Sequence, residues 1–151
     1  MQNITAKKDE FIISTDRSKL DIKMIHQYLA HESYWAKNIP VEIIKKSIDG
    51  SCCFGVYHHD QQIGFARVIT DGATFGYLAD VFIIEAYRKK GLSKWLMETI
   101  MGHPELQGFR RWMLATRDAH GLYAQFGFAP LEKPERFMRY SIFDEYPAPG
   151  L

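Results

Sequence analysis

The sequence predicts an α+β fold around a mixed, mostly antiparallel twisted sheet with helices packed on it. Three observations carry this. Apolar residues recur at helical spacing between residues 19 and 49, and from 52 the pattern changes to short strands joined by tight turns. One later strand, apolar on both faces, then runs directly into a basic turn and another helical stretch.

Glu10 to Ser14 reads as a first strand. Ser18 followed by Asp21 resembles a capping box, and Ile22, Ile25 and Leu29 give one face of a helix from about Lys19 to His31. Glu32 to Ile39 breaks the pattern and carries Tyr34 and Trp35. Pro40 suits a first helical position, Val41, Ile44 and Ile48 share a face, and Gly50 suits a stop.

Cys52–Tyr57 and Ile63–Ile69 read as strands around the polar turn His58–Gln62, and Asp71-Gly72 turns the chain into Phe75–Ile84. That third strand is apolar except for Asp80. A helix follows, with Leu92, Trp95, Leu96, Thr99 and Ile100 on one side, then a loop over Gly102–Gly108 and a strand over Arg111–Thr116. Asp118 is placed to cap a short helix, Ala119–Phe126, closed by Gly127. Phe128–Leu131 and Phe137–Ile142 suggest a final strand pair around Lys133-Pro134-Glu135. The expected organisation is one domain over 1–143 and a loose tail over 144–151.

Composition bounds the function. A chain of 151 residues suits one core, and 46% hydrophobic with 25% charged residues is ordinary for a folded domain. A formal charge of +1 argues against a broad footprint for nucleic acid or an anionic membrane. Met1–Glu10 lacks the apolar run of a secretory peptide, and no stretch reaches membrane-spanning length. Cys52 and Cys53 are adjacent and poorly placed to bridge each other. A soluble, cytoplasmic protein is expected.

The most informative segment is Tyr87-Arg88-Lys89-Lys90-Gly91-Leu92-Ser93. A helix beginning near Gly91 presents unpaired N–H groups and the positive end of its peptide dipoles, which together suit phosphate. No Walker loop and no Gly-x-Gly-x-x-Gly is present. The strand Tyr77–Ile84 followed by Arg88-x-x-Gly91-x-Ser93 resembles the coenzyme A signature of the GNAT superfamily of N-acetyltransferases. Ser93 stands where that pattern has Gly or Ala. Tyr123-Ala124-Gln125-Phe126-Gly127-Phe128, with Ala119 upstream, is similar to the family's later motif, and the element order from Phe11 to Ile142 follows it.

The resemblance implies a GNAT-type sheet with helices on both faces and central strands splayed to admit the pantetheine arm of acetyl-CoA, with no metal. By the same resemblance, backbone groups of Phe82 and Ile83 hold the pantetheine amides. Amides from Arg88 through Lys89, Lys90, Gly91 and Leu92 to Ser93 hold the pyrophosphate. Thr116 stands where an Asn often touches the cofactor. His120 is read either as a capping or surface residue or as a cofactor contact.

The implied chemistry is direct transfer to an amine, with no acyl-enzyme, so neither cysteine is needed as a nucleophile. Tyr123 matches the family's tyrosine at the leaving thiolate. Asp80, a lone carboxylate in an apolar strand, is a candidate base or amine anchor, or else a partner for Arg67 on the neighbouring strand. The family's better-known strand bases align nearer Tyr77 and Ala79. The acceptor pocket implied by the family takes in Tyr34, Trp35, Arg67, Thr74 and Phe75. A small-molecule or protein amine is the expected partner, with no nucleic acid and no membrane, and the family leaves room for a homodimer. The alternative is a non-catalytic acyl-CoA-binding or sensing module, which has no need of Tyr123.

Overall fold

The computed structural model describes residues 1–150. Six strands form one sheet in chain order. They are β1 (Thr5–Lys8), β2 (Phe11–Ser14), β3 (Cys52–His58), β4 (Gln61–Thr70), β5 (Phe75–Ile83) and β6 (Arg111–Leu114). Neighbours are antiparallel except β5 and β6, which are parallel. Four α-helices accompany them: α1 (Ile22–His31), α2 (Val41–Asp49), α3 (Leu92–Met101) and α4 (His120–Ala124).

The sheet is covered on both faces. Ile25, Tyr28 and Leu29 of α1 and Ile44 and Ile48 of α2 pack with Cys53, Phe65 and Phe82. Leu92, Trp95, Leu96, Met97 and Ile100 of α3 pack with Phe54, Val56, Ile63, Val68 and Leu78 on the opposite face, where Tyr123 of α4 joins them. β1 was not foreseen as a strand. Its Thr-Ala-Lys-Lys sequence is polar because it forms the sheet edge, where lysines discourage further pairing.

Both expected helix caps are corrected. Asp21 itself caps α1, accepting from Met24 N at 3.1 Å, while Ser18 belongs to a separate single turn at Arg17–Lys19 capped by Asp16. At α4, Ala119 N donates to Thr116 Oγ1 at 3.1 Å, and no side chain of Asp118 caps the helix. The expected C-terminal strand pair does not form among the described residues. Pro130 and Pro134 remove backbone donors, one 3-10 turn occupies Pro134–Arg136, and Met138 and Tyr140 stand 98% and 91% exposed.

Two bulges set the faces. Ile63 is the extra residue of β4 between the Val56–Gly64 and Tyr57–Gln62 pairs. In β5, Phe82 pairs with Phe65 and Ala79 with Arg67, so Asp80 and Val81 together oppose Ala66. Asp80 takes the left-handed φ of 55° that this requires. The bulge is why Leu78 and Phe82, of equal strand parity, lie in different cores.

β4 and β5 approach closely at Gly64, where a Cβ would lie 2.9 Å from the Phe82 carbonyl oxygen and 2.6 Å from Ile83 Cδ1. Gly64→Ala is therefore expected to cost about 1–3 kcal/mol in urea denaturation, as overpacking does. An unchanged midpoint would show that the strands can separate freely.

Candidate active site

β5 and β6 stay paired for only four residues, Phe75–Leu78 against Arg111–Leu114. β5 then continues through Ala79–Ile83 with no strand on that side. The gap opens into a cavity of about 520 Å³ lined by Tyr77–Val81 of β5, Leu114–Ala119 after β6, and the side chains of Tyr34, Trp35, Arg67, Tyr123 and Tyr146.

Tyr123 is 8% exposed in the wall of this cavity. Burial, followed by the nearby Tyr34 and Asp118, pushes its phenol up to about 12. It therefore keeps its proton at any physiological pH and can act as a donor.

Asp80 has both oxygens engaged. Trp35 Nε1 donates to Oδ1 at 2.8 Å and Arg67 Nε to Oδ2 at 2.6 Å. Arg67 Nη1 also donates to Ser51 Oγ at 3.2 Å. This pair is largely withdrawn from water, with the Arg67 and Asp80 side chains 17% and 9% exposed. The structure thus places Asp80 as the clamp of Trp35 and Arg67. Tyr34 is held separately: its hydroxyl accepts from Arg117 N at 2.8 Å, and the Arg117 guanidinium lies 3.9 Å over its ring.

The turn before α3 forms a second, smaller cavity of about 240 Å³ lined by Ile83, Tyr87, Arg88, Lys89, Gly91, Leu92, Ser93, Lys94 and Leu122. Gly91 is the N-cap of α3, offers no side-chain cap, and has φ 77°. A Cβ there would meet nothing within 4 Å, so conformation and not space calls for glycine. The open N–H groups of the first helical turn meet the requirement for binding a diphosphate. The Arg88 side chain turns away from that role, donating from Nε to the Ile83 carbonyl at 2.9 Å and from Nη2 to Tyr28 Oη at 2.8 Å.

The remaining sequence candidates separate. Thr116 lines the larger cavity, with its hydroxyl oxygen accepting from Ala119 N. The Phe82 ring stacks on Tyr28 at 3.9 Å, and the residue pairs with Phe65 of β4. Lys90 and His120 are exposed and line neither cavity. Thr74 and Phe75 sit at the far end of β5, where the Thr74 hydroxyl donates to Asp71.

Sequence reasoning missed Tyr77, Arg117, Asp118 and Tyr146 as cavity residues. Arg117-Asp118 could have been suspected, because the pair follows the strand on the open side. Tyr146 carried no signal, lying in a Pro-rich tail; Asn38 Nδ2 donating to its carbonyl at 3.4 Å and Lys37 against Glu145 help hold it there.

Comparison with known proteins decides the family. Residues 22–128 match the acetyltransferase (GNAT) family. The chain belongs to the GNAT acetyltransferases. A protein of Gibberella zeae whose name places it among acetyltransferases is 30% identical over 152 residues, spanning 83% of this chain and 84% of its own. A GNAT-family crystal structure from Xanthomonas campestris pv. campestris is 49% identical with a TM-score of 0.86, covering 87% of this chain and 93% of that one. A GNAT acetyltransferase from Elizabethkingia anophelis, solved with acetyl-CoA bound, shares the fold at 15% identity and TM-score 0.60, over 81% and 78% of the chains. Among the described residues, no helix is long and apolar enough to cross a membrane.

Removing one partner of the Arg67–Asp80 pair strands a charge in low dielectric. Asp80→Ala is expected to cost about 3 kcal/mol in chemical denaturation, and Arg67→Met in the same chain to recover part of it. A single-variant loss below about 1 kcal/mol would mean that the pair behaves as a surface contact.

Proposed function

We propose that this GNAT-family chain transfers an acetyl group from acetyl-CoA directly to an amine acceptor, with Tyr123 at the leaving sulfur. The observation that carries the reading is the alignment of three features. They are the unpaired flank of β5, the uncapped N-terminus of α3, and the buried residue Tyr123 in the wall of the cavity at that flank.

Acetyl-CoA supplies an activated acyl group on a thiolate leaving group. Backbone groups on the open side of β5, among them the Ile83 N–H, hold the pantetheine amides as a neighbouring strand would, while the Ile83 carbonyl is already taken by Arg88. The first-turn N–H groups of α3 hold the pyrophosphate. Tyr123 donates its O–H to the sulfur as negative charge develops there. With its pKa near 12 against about 8.5 for a thiol, complete proton transfer runs uphill, so a hydrogen bond does the stabilising.

The acceptor amine must lose its proton before attack, because an alkylamine is about one part in a thousand neutral at pH 7. Asp80 is committed to Trp35 and Arg67 and serves as a positioning residue. Asp118 lines the same cavity, and its carboxylate accepts no hydrogen bond among the described residues. It receives the incoming ammonium. The proton released before attack and the one lost from nitrogen as the amide forms pass to solvent through the open cavity, and coenzyme A leaves as the thiolate hydrogen-bonded to Tyr123. Tyr34, Trp35, Tyr77 and Tyr146 add aromatic faces that favour a cation.

Tyr123→Phe is expected to lower kcat about tenfold or more with little change in acetyl-CoA affinity. In thiol-release assays the parent should show no fall in rate between pH 8 and 10 from loss of this proton, since burial raises the phenol pKa to about 12. Unchanged kcat in the variant would remove Tyr123 from the chemistry. Asp118→Asn is expected to raise the acceptor KM about fivefold, the worth of an ion pair near 1 kcal/mol, and leave acetyl-CoA binding alone. An unaltered KM would assign Asp118 to solvent.

A further inference from the structure

We propose that Glu10, His58 and His59 form a Zn²⁺ site at the tips of two adjacent hairpins, outside the acetyl-transfer cavities. The turn joining β1 to β2 contains Asp9 and Glu10, and the turn joining β3 to β4 contains His59 and Asp60. Phe11 pairs with His58, so the register brings both turns to the same end of the sheet. Consecutive residues of a regular strand point to opposite faces. His59 escapes that rule because it leaves the strand at a left-handed φ of 55°, which sets its ring 4.3 Å from that of His58.

A ligand atom from each of the three residues then lies within 4.8 Å of the others, and Glu10 Oε2 is 3.1 Å from His58 Nε2. Ligands on a tetrahedral ion at about 2.0–2.1 Å sit about 3.4 Å apart, so rotation of the exposed Glu10 and His59 side chains closes the difference. His58 is the fixed member. Its side chain is 23% exposed, its ring packs on Phe11 at 5.0 Å, and its Nδ1 is 2.9 Å from Tyr87 Oη. A metal-bound imidazole with its second nitrogen tied to a protein oxygen is the usual supporting arrangement. In the metal-bound tautomer Nδ1–H would donate to Tyr87 Oη, and Nε2 would give up its hydrogen bond to Glu10 Oε2 to ligate the ion beside it.

The donor set selects the ion. Two imidazoles and one carboxylate suit Zn²⁺ and its neighbours, whereas Ca²⁺ and Mg²⁺ require mainly oxygen. Glu10, His58 and His59 line none of the cavities described above, and the site is separate from acyl transfer. Tyr87 touches both regions, lining the phosphate-binding turn while its hydroxyl meets His58.

The test is titration of untagged protein with Zn²⁺ by calorimetry, with Co²⁺ absorption as a reporter of tetrahedral coordination. One ion per chain is expected, with an intense visible Co²⁺ band. His59→Ala and Glu10→Gln should each weaken binding about tenfold or more. Both residues are exposed at turn tips, so the variants should fold, and Zn²⁺ should raise the Tm of the parent while leaving that of His59→Ala unmoved. Absence of stoichiometric binding at about 1 mM Zn²⁺, or a His59→Ala variant that binds as the parent does, overturns the site.

Discussion

The early parting of β5 from β6 is the constraint on which the rest depends. β5 is paired to β4 along nearly its whole length, yet shares only Phe75–Leu78 with β6. Past that point its backbone groups on one side have no strand to satisfy them. Unpaired backbone is costly unless solvent or a ligand supplies partners. The gap therefore favours an extended, amide-bearing guest, and the surrounding parts are arranged to keep the gap open.

The Asp80 bulge keeps it open from the β4 side. One extra residue twists β5, turns Phe82 onto Tyr28 of α1, and aims the Asp80 carboxylate at Trp35 and Arg67. The pair thus joins the loop after α1 to the middle of the sheet. Arg88 makes a corresponding tie at the other end, from the Ile83 carbonyl to the Tyr28 hydroxyl. Asp80, which the sequence left open as either a ligand group or a partner for Arg67, and the Arg88 side chain both brace the frame around the gap. The first-turn N–H groups of α3, the Tyr123 hydroxyl and the Asp118 carboxylate take no part in that bracing.

The same separation of duties explains the electrostatics. A buried phenol with no counter-charge stays protonated and useful as a donor. The Arg67–Asp80 pair fixes shape. On the far side of Tyr87 from the turn before α3, the hairpin tips gather two imidazoles and a carboxylate where neither the core nor the cavities call for them.

The sequence by itself determined the strand and helix order from β2 to α4, the basic turn that leads through Gly91 into α3, and the family. These are local properties: hydrophobic period, turn chemistry and a helix start are written in neighbouring residues. Only the tertiary structure decided which charges are spent on one another, because Arg67 meets Asp80 across two strands and Arg88 meets Tyr28 across the sheet. It also decided that the last expected strand pair is absent and that Tyr146 returns to the cavity wall. A bulge changes which face a residue occupies without changing its neighbours in sequence, and a contact between distant segments leaves no periodic trace in either.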